Sequence, residues 1–247
     1  MNPLQKIIHS YPLVATMRKS YIKILFIFLP LLFFSCFTLR ASKNSEPLPP
    51  TPLPPLPPEG RLKLLKPLSI DWIQGDRNAP VVIIEYIDFE CPICAAYYPI
   101  LQELKRKYGD KLSWIIRHNP SISHPEAFPA SMAAEAAGRQ GKFWEMVNLL
   151  LTNQKEWSFK SSCTEAFLQY AKKLGLNEEQ FKKDLQGVEG IPLRKRILAD
   201  CLSAIRVGVD GNPNFFINGE KIPNPSNLEE FSTLIEAELI KRKSDKS

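Results

Sequence analysis

The stretch Val81-Val-Ile-Ile-Glu-Tyr-Ile-Asp-Phe-Glu-Cys-Pro-Ile-Cys94 sets a nearly continuous β-branched and aromatic run against a Cys-x-x-Cys pair. The run, Val81 to Phe89, predicts a central strand covered on both faces. The pair follows at once and opens a helix read over Ala95–Tyr108, which Gly109 closes. Pro92 suits the first helical turn, where a missing N–H costs nothing. At a helix start, unpaired backbone N–H groups and the helix dipole favour an anion, so the Cys91 thiolate is stabilised. Cys94, about one turn on, can close a disulfide with Cys91 or resolve a mixed disulfide that Cys91 forms with a substrate. Thiol–disulfide exchange is the chemistry this spacing favours. Two other readings stay open: half of a zinc site, and a pair that only staples the fold. Zinc wants a second close-spaced pair of ligands, and Cys163, Cys201, His118 and His124 form none.

Working outward, Leu112 to His118 reads as a second strand, and a largely helical stretch runs from about Pro125 to Arg206. Within it, Ser162-Cys-Thr-Glu165 and Asn177-Glu-Glu-Gln180 look like capping boxes, each opening a helix. Asn214 to Asn218 with Gly219, then Glu220 to Ile222, predicts strand, turn and strand. Ser226-Asn-Leu-Glu229 caps a last helix to about Arg242, whose end carries Lys241, Arg242 and Lys243. The order is α/β, with no internal repeat and no phosphate-binding glycine loop.

The 247 residues suffice for one large domain or two small ones. A formal net charge of +6 would suggest nucleic acid if it were spread over the chain. It is not. Residues 1–46 hold Lys6, Arg18, Lys19, Lys23, Arg40 and Lys43 against Glu46, leaving 26 basic and 25 acidic residues in the rest. The body is close to neutral, so no basic patch for nucleic acid is expected.

Arg18, Lys19 and Lys23 precede the unbroken apolar run Ile24–Phe34, the pattern of an export signal, with Met1 and Met17 both standing as starts. The run is short for a membrane span, though extension to Leu39 would make an uncleaved anchor. Cys36 follows directly. It resembles the lipidated Cys of a bacterial lipoprotein signal, with Ser35 in the small position and Phe33 where Leu is usual. A plain Cys within a signal sequence is the other reading. Pro47–Pro58 then holds eight prolines in twelve residues. In polyproline II geometry that is a semi-rigid stalk of about 37 Å. The expected organisation is an export signal or anchor over 1–40, a Pro-rich spacer over 41–60, and a folded body over 61–247.

Asp88-Phe-Glu-Cys-Pro-Ile-Cys94 resembles the active-site segment of the DsbA-like thiol:disulfide oxidoreductases of the thioredoxin superfamily. Three further segments agree in order: Ser123-His-Pro-Glu-Ala127 with Ala133–Ala137, Gly141-Lys-Phe-Trp-Glu-Met146, and Gly208–Gly219. The resemblance implies an α/β, thioredoxin-like fold with a helical domain inserted at about 123–205. It implies Cys91 as the exposed nucleophile, Cys94 as the buried resolving thiol, and Pro213 as a cis-proline beside the disulfide. A cis-proline would expose the backbone of Asn212 to an extended substrate strand. It further implies Glu85 beneath the buried Cys, where desolvation would make it a base for the Cys94 proton. Two departures stand out. Ile93 replaces the His that the family's strongest oxidants carry between the cysteines, which predicts a milder oxidant. Asn212 replaces the Val or Thr common before the cis-proline.

In an oxidising compartment Cys163 and Cys201 form an even pair, and a disulfide between them would close a 38-residue loop. That would contribute about 3–4 kcal/mol; two separate buried thiols are the alternative. His118 and His124 are expected to be structural or surface residues. The reading is an exported, N-terminally tethered monomer that exchanges disulfides with exported Cys-containing proteins, most readily as a mild oxidant in a bacterial periplasm. A membrane oxidase of the DsbB kind is the re-oxidising partner that the resemblance implies. No metal or organic cofactor is expected, because the Cys91–Cys94 disulfide carries the electrons. The rivals are a reductase or isomerase of the same compartment, and a tethered binding or holdase protein.

Overall fold

The computed structural model describes residues 56–160 and 163–244. The expected leader, Cys36, the spacer up to Pro55, and Ser162 of the first capping box lie outside them. The chain opens with α1 (Pro58–Leu64) and β1 (Trp72–Gln74), followed by β2 (Val81–Ile87), α2 (Pro92–Tyr108) and β3 (Leu112–His118). Helices α3 (Ala127–Arg139), α4 (Phe143–Thr152), α5 (Gln154–Trp157), α6 (Thr164–Lys173), α7 (Glu178–Gln186) and α8 (Ile191–Val207) come next. The chain closes with β4 (Asn214–Ile217), β5 (Glu220–Ile222) and α9 (Leu228–Ser244).

The strands form one sheet in the order β1-β3-β2-β4-β5. β2 and β3 run parallel, in register from Val81 opposite Leu112 to Ile87 opposite His118. The α2 crossover joins them, while β4 lies antiparallel on the far side of β2. β2 is buried at six of seven positions, as its apolar sequence requires of a central strand. Its residues alternate between two cores. Val81, Ile83 and Ile87 face the larger one, under α2 and the helical insertion, while Ile84 and Tyr86 face a smaller one with Leu65, Ala204, Val207 and Phe216. This is the thioredoxin-like arrangement, with the helical domain inserted between β3 and β4.

Local chemistry explains the element ends. α2 begins at Pro92, three residues before the expected start, so Cys91 is its N-cap and Cys94 belongs to its first turn. Asn177 caps α7 by accepting the Gln180 N–H at 2.9 Å. At α9 the capping oxygen belongs to Asn227, not Ser226: it accepts the N–H groups of Glu229 and Glu230 at 3.0 Å each. α3 carries Ala127, Ala130, Ala133, Ala134, Ala136 and Ala137, all buried, and the small side chains let α4, α7 and α8 close around it. Gly138 on the same helix lies against Trp72, where a Cβ would meet the indole at 2.5 Å. Trp72 in turn stacks on Phe143, ring centroids 4.8 Å apart. That contact holds β1, a strand too short to show in the sequence pattern.

The segment after α1 is fastened to the sheet by Arg117, whose side chain is 1% exposed. Its guanidinium meets Asp71 at 2.9 Å and donates to the carbonyls of Leu64 and Lys66. A buried cation stripped of its anion is expensive. Asp71→Ala is expected to cost about 3–5 kcal/mol, read as a lower midpoint in urea unfolding with an unchanged slope.

Candidate functional site

The site forms where three chain segments meet at one end of β2. Cys91 is the N-cap residue of α2, and it is 6% exposed; Cys94, one turn on, is fully buried. The Cys91 N–H is held by the Asp88 carbonyl at 3.1 Å. From the far side of the sheet comes the Asn212–Pro213 peptide, which is cis, with the Asn212 carbonyl oxygen 3.6 Å from Cys91 Sγ. Asn119, just past β3, fastens that loop through a reciprocal pair. Its amide donates to Asn212 Oδ1, and Asn212 Nδ2 donates to the Asn119 carbonyl, both at 3.0 Å. From the helical insertion, buried Gln154 donates to the carbonyls of Phe89 and Cys91 at 2.8 and 3.0 Å. Pro92 and Ile93 are the exposed pair between the cysteines, and Ile93 is 57% exposed.

The two thiols are set apart electrostatically. Hydrogen bonding from the Cys94 thiol, helped by the backbone N–H groups of Cys94 and Ile93, draws Cys91 down to about 6. Partial burial and the Asp88 charge oppose this without reversing it. Cys91 is therefore largely thiolate at neutral pH. Burial holds Cys94 well above its ordinary range, with the Cys91 hydrogen bond and the Glu85 charge adding to the effect. One sulfur is ready to attack while its neighbour keeps its proton. That is the asymmetry a mixed disulfide and its resolution require.

The β2 register puts Glu85 on the larger-core face with Ile83 and Ile87, opposite Phe215 of β4 and Ile116 of β3. Its Oε2 accepts from Trp114 Nε1 at 3.1 Å, and its Oε1 has no partner. Burial raises its pKa to about 8, the Trp114 hydrogen bond only partly offsetting it. A carboxyl tuned near neutrality under a buried thiol can exchange a proton with it.

The sequence pattern did not reveal Asn119, Gln154 or Trp114, ordinary residue types whose partners lie far along the chain. It also passed over Asp88 as a hub. This buried carboxylate accepts from Glu90 N–H, Ser121 N–H and His124 Nδ1, at 2.8, 2.9 and 2.6 Å. The expected Cys163–Cys201 disulfide requires correction, because both thiols are free. Cys163 Sγ lies 2.6 Å from Glu126 Oε2, whereas Cys201 Sγ lies 3.8 Å from the His118 carbonyl oxygen at the end of β3. Each sulfur is directed to its own acceptor. His118 is a buried structural residue, on Glu135 at 2.8 Å. Among the described residues no group of three or more His, Cys, Asp or Glu could hold a metal ion.

Glu85 carries a pH signature. Its folded-state pKa of about 8 lies above the ordinary 4.5, so the native state holds the proton more tightly than the unfolded chain. Stability should fall as pH rises between those values and level off above the upper one. Glu85→Gln is expected to remove this slope and add about 3 kcal/mol at pH 7, measured by urea unfolding at pH 5, 7 and 9.

Comparison with known proteins agrees with the geometry. The family model described as Thioredoxin matches residues 69–237. A curated relative, the Na(+)/H(+) antiporter NhaA 3 of Salinispora tropica, is 38% identical over 180 residues. That alignment takes in 72% of this chain but only 26% of the relative, so the chain spans about a quarter of that protein's length. No helix among the described residues is long and apolar enough to cross a membrane. The crystal structure of Wolbachia pipientis alpha-DsbA1 matches with a TM-score of 0.67 at 23% identity, over 76% of this chain and 100% of that one. A thioredoxin-like oxidoreductase from Silicibacter pomeroyi matches with a TM-score of 0.57 at 21% identity, over 68% of this chain and 91% of that one. The chain belongs to the thioredoxin family and has the fold of its DsbA-like thiol:disulfide oxidoreductases.

Proposed function

We propose that this protein is a thiol:disulfide oxidoreductase that works as a mild oxidant on other exported proteins, cycling through a Cys91–Cys94 disulfide. The observation that carries the reading is the placement of an acidic thiol, Cys91 at about 6, at the start of α2 and 3.6 Å from the Asn212 carbonyl. In the oxidising direction a client thiolate attacks Cys91 Sγ, and the Cys91–Cys94 bond breaks. Cys94 leaves as a thiolate and takes a proton, with Glu85 as the nearby donor. The client's second thiolate then attacks the client sulfur, releasing Cys91 as a thiolate. Two electrons have passed from the client to the Cys91–Cys94 pair. An extended client segment would lie along the Asn212–Pro213 backbone. The electrons would leave through a membrane oxidase of the DsbB kind, and no organic cofactor is called for. An uncleaved anchor or a lipidated Cys36, followed by the proline stalk, would hold the domain at the membrane's outer side.

A thiolate is the product of reduction, so stabilising it makes the pair a better oxidant. A Cys91 thiol at about 6 lies between those of thioredoxin-like reductants, near about 7, and strong oxidants, near about 3.5, which supports the reading of a mild oxidant. The reduction potential of the full chain, equilibrated against glutathione, is expected between about −200 and −150 mV. A value near or below about −250 mV would favour the reductase instead. Cys94→Ser should accumulate mixed disulfides on Cys91, and Cys91→Ser should accumulate none. Exchange activity unchanged in Cys91→Ser would leave the pair as a staple of the fold.

A further inference from the structure

With Ile93 between the cysteines, no side chain of the dipeptide can carry charge toward the Cys91 thiolate. Another residue is placed to do so. The turn from Ser121 to His124 is closed by the His124 N–H on the Ser121 carbonyl at 3.1 Å, and it is drawn to the active-site loop by Asp88. One Asp88 oxygen, Oδ2, accepts from both Ser121 N–H and His124 Nδ1, at 2.9 and 2.6 Å. The other, Oδ1, accepts the Glu90 N–H, and the Asp88 carbonyl accepts the Cys91 N–H. A single buried residue thus fixes the imidazole and the Cys91 backbone in one hydrogen-bonded unit. The His124 ring is also held edge-on by Phe159, centroids 5.6 Å apart, and its side chain is 21% exposed.

We propose that His124, held by Asp88, is a positioning residue whose imidazolium charge stabilises the Cys91 thiolate. The proposal rests on Cys91 being the reactive thiol. The titratable groups that bear on the ring are Asp88, Glu90 and Cys91, and all are acids. Partial burial works against the charged ring, but the Asp88 hydrogen bond and these negative charges outweigh it and raise its pKa. Without the cation, the Asp88 carboxylate would oppose the thiolate unscreened. With it, the Asp88 charge that opposes the thiolate is paired with the imidazolium at 2.6 Å. The coupling is reciprocal: if the imidazolium favours the thiolate, the thiolate favours the imidazolium by the same free energy. Disulfide formation removes that negative charge, so His124 must release its proton more easily in the oxidised protein.

The chain has three histidines, His9, His118 and His124, so labelled-histidine NMR of the full chain can follow each ring, with His124→Gln identifying its signal. The expected result is a His124 titration at higher pH in the reduced than in the oxidised protein. His124→Gln is expected to raise the Cys91 titration, followed by thiolate absorbance, by about half to one unit, a loss of acidity of about three- to tenfold. The potential should move in the reducing direction, by up to about 30 mV for the tenfold case. Identical His124 titrations in the two redox states would overturn the proposal, and that comparison needs no variant. So would unchanged Cys91 acidity and potential in a folded His124→Gln protein. A Cys91 that shows no acid-shifted titration in the unaltered chain would overturn the assignment of the reactive thiol, and this proposal with it.

Discussion

The parallel pairing of β2 with β3 is the constraint on which the site depends. Because the two strands end level, at Ile87 and His118, the Asn119 N–H can bond the Ile87 carbonyl at 2.8 Å. The chain leaving β3 is thereby delivered beside the chain leaving β2. One of these carries Cys91 into α2, and the other carries Asn119, Ser121 and His124. The antiparallel strand β4 adds the third loop at the same end, because Asn214 pairs with Tyr86 near the top of β2. A slip of one residue between β2 and its neighbours would turn Glu85 out of the larger core and break the Asn119–Asn212 clasp.

Within that frame, two buried carboxylates have opposite characters, set by what surrounds each. Asp88 receives three hydrogen bonds, two of them from backbone N–H groups, and serves as an anion that organises loops. Glu85 receives one hydrogen bond, from Trp114, and lies among apolar side chains. Its charge is therefore costly, and it favours the protonated form at neutral pH. The same side-chain chemistry yields a hydrogen-bonded hub three residues before Cys91 and a carboxyl that holds its proton six residues before it.

The central strand and the Cys-x-x-Cys were legible in the sequence because both are local: a largely apolar run buried at all but one position, then two cysteines a helical turn apart. The strand–turn–strand at Asn214–Ile222 was readable for the same reason, and Asn177 at the head of α7 caps as its pattern suggests. β1 was not, since Trp72–Gln74 has too few residues to show alternation and is held by packing from α3 and α4. Nor was the clasping of the site. Gln154 reaches Cys91 across 63 residues and Asn119 reaches Asn212 across 93, and nothing local marks either as more than a surface amide. The parity of Cys163 and Cys201 suggested a bond, but an even count contains no distance. In the fold each has an oxygen acceptor of its own.

Those two sulfurs bear on a problem that the proposed function raises, namely that a protein exchanging disulfides carries other thiols of its own. Burial, with the nearby Glu126 carboxylate, pushes Cys163 far above the range where thiols ionise in water, and burial raises Cys201 to about 11. Both stay protonated across the working range of Cys91, and a protonated thiol is a poor partner for exchange. The active pair can pass through oxidised and reduced states while the two silent thiols take no part. Among the described cysteines, a thiol able to ionise near neutral pH is confined to the Cys91–Cys94 pair.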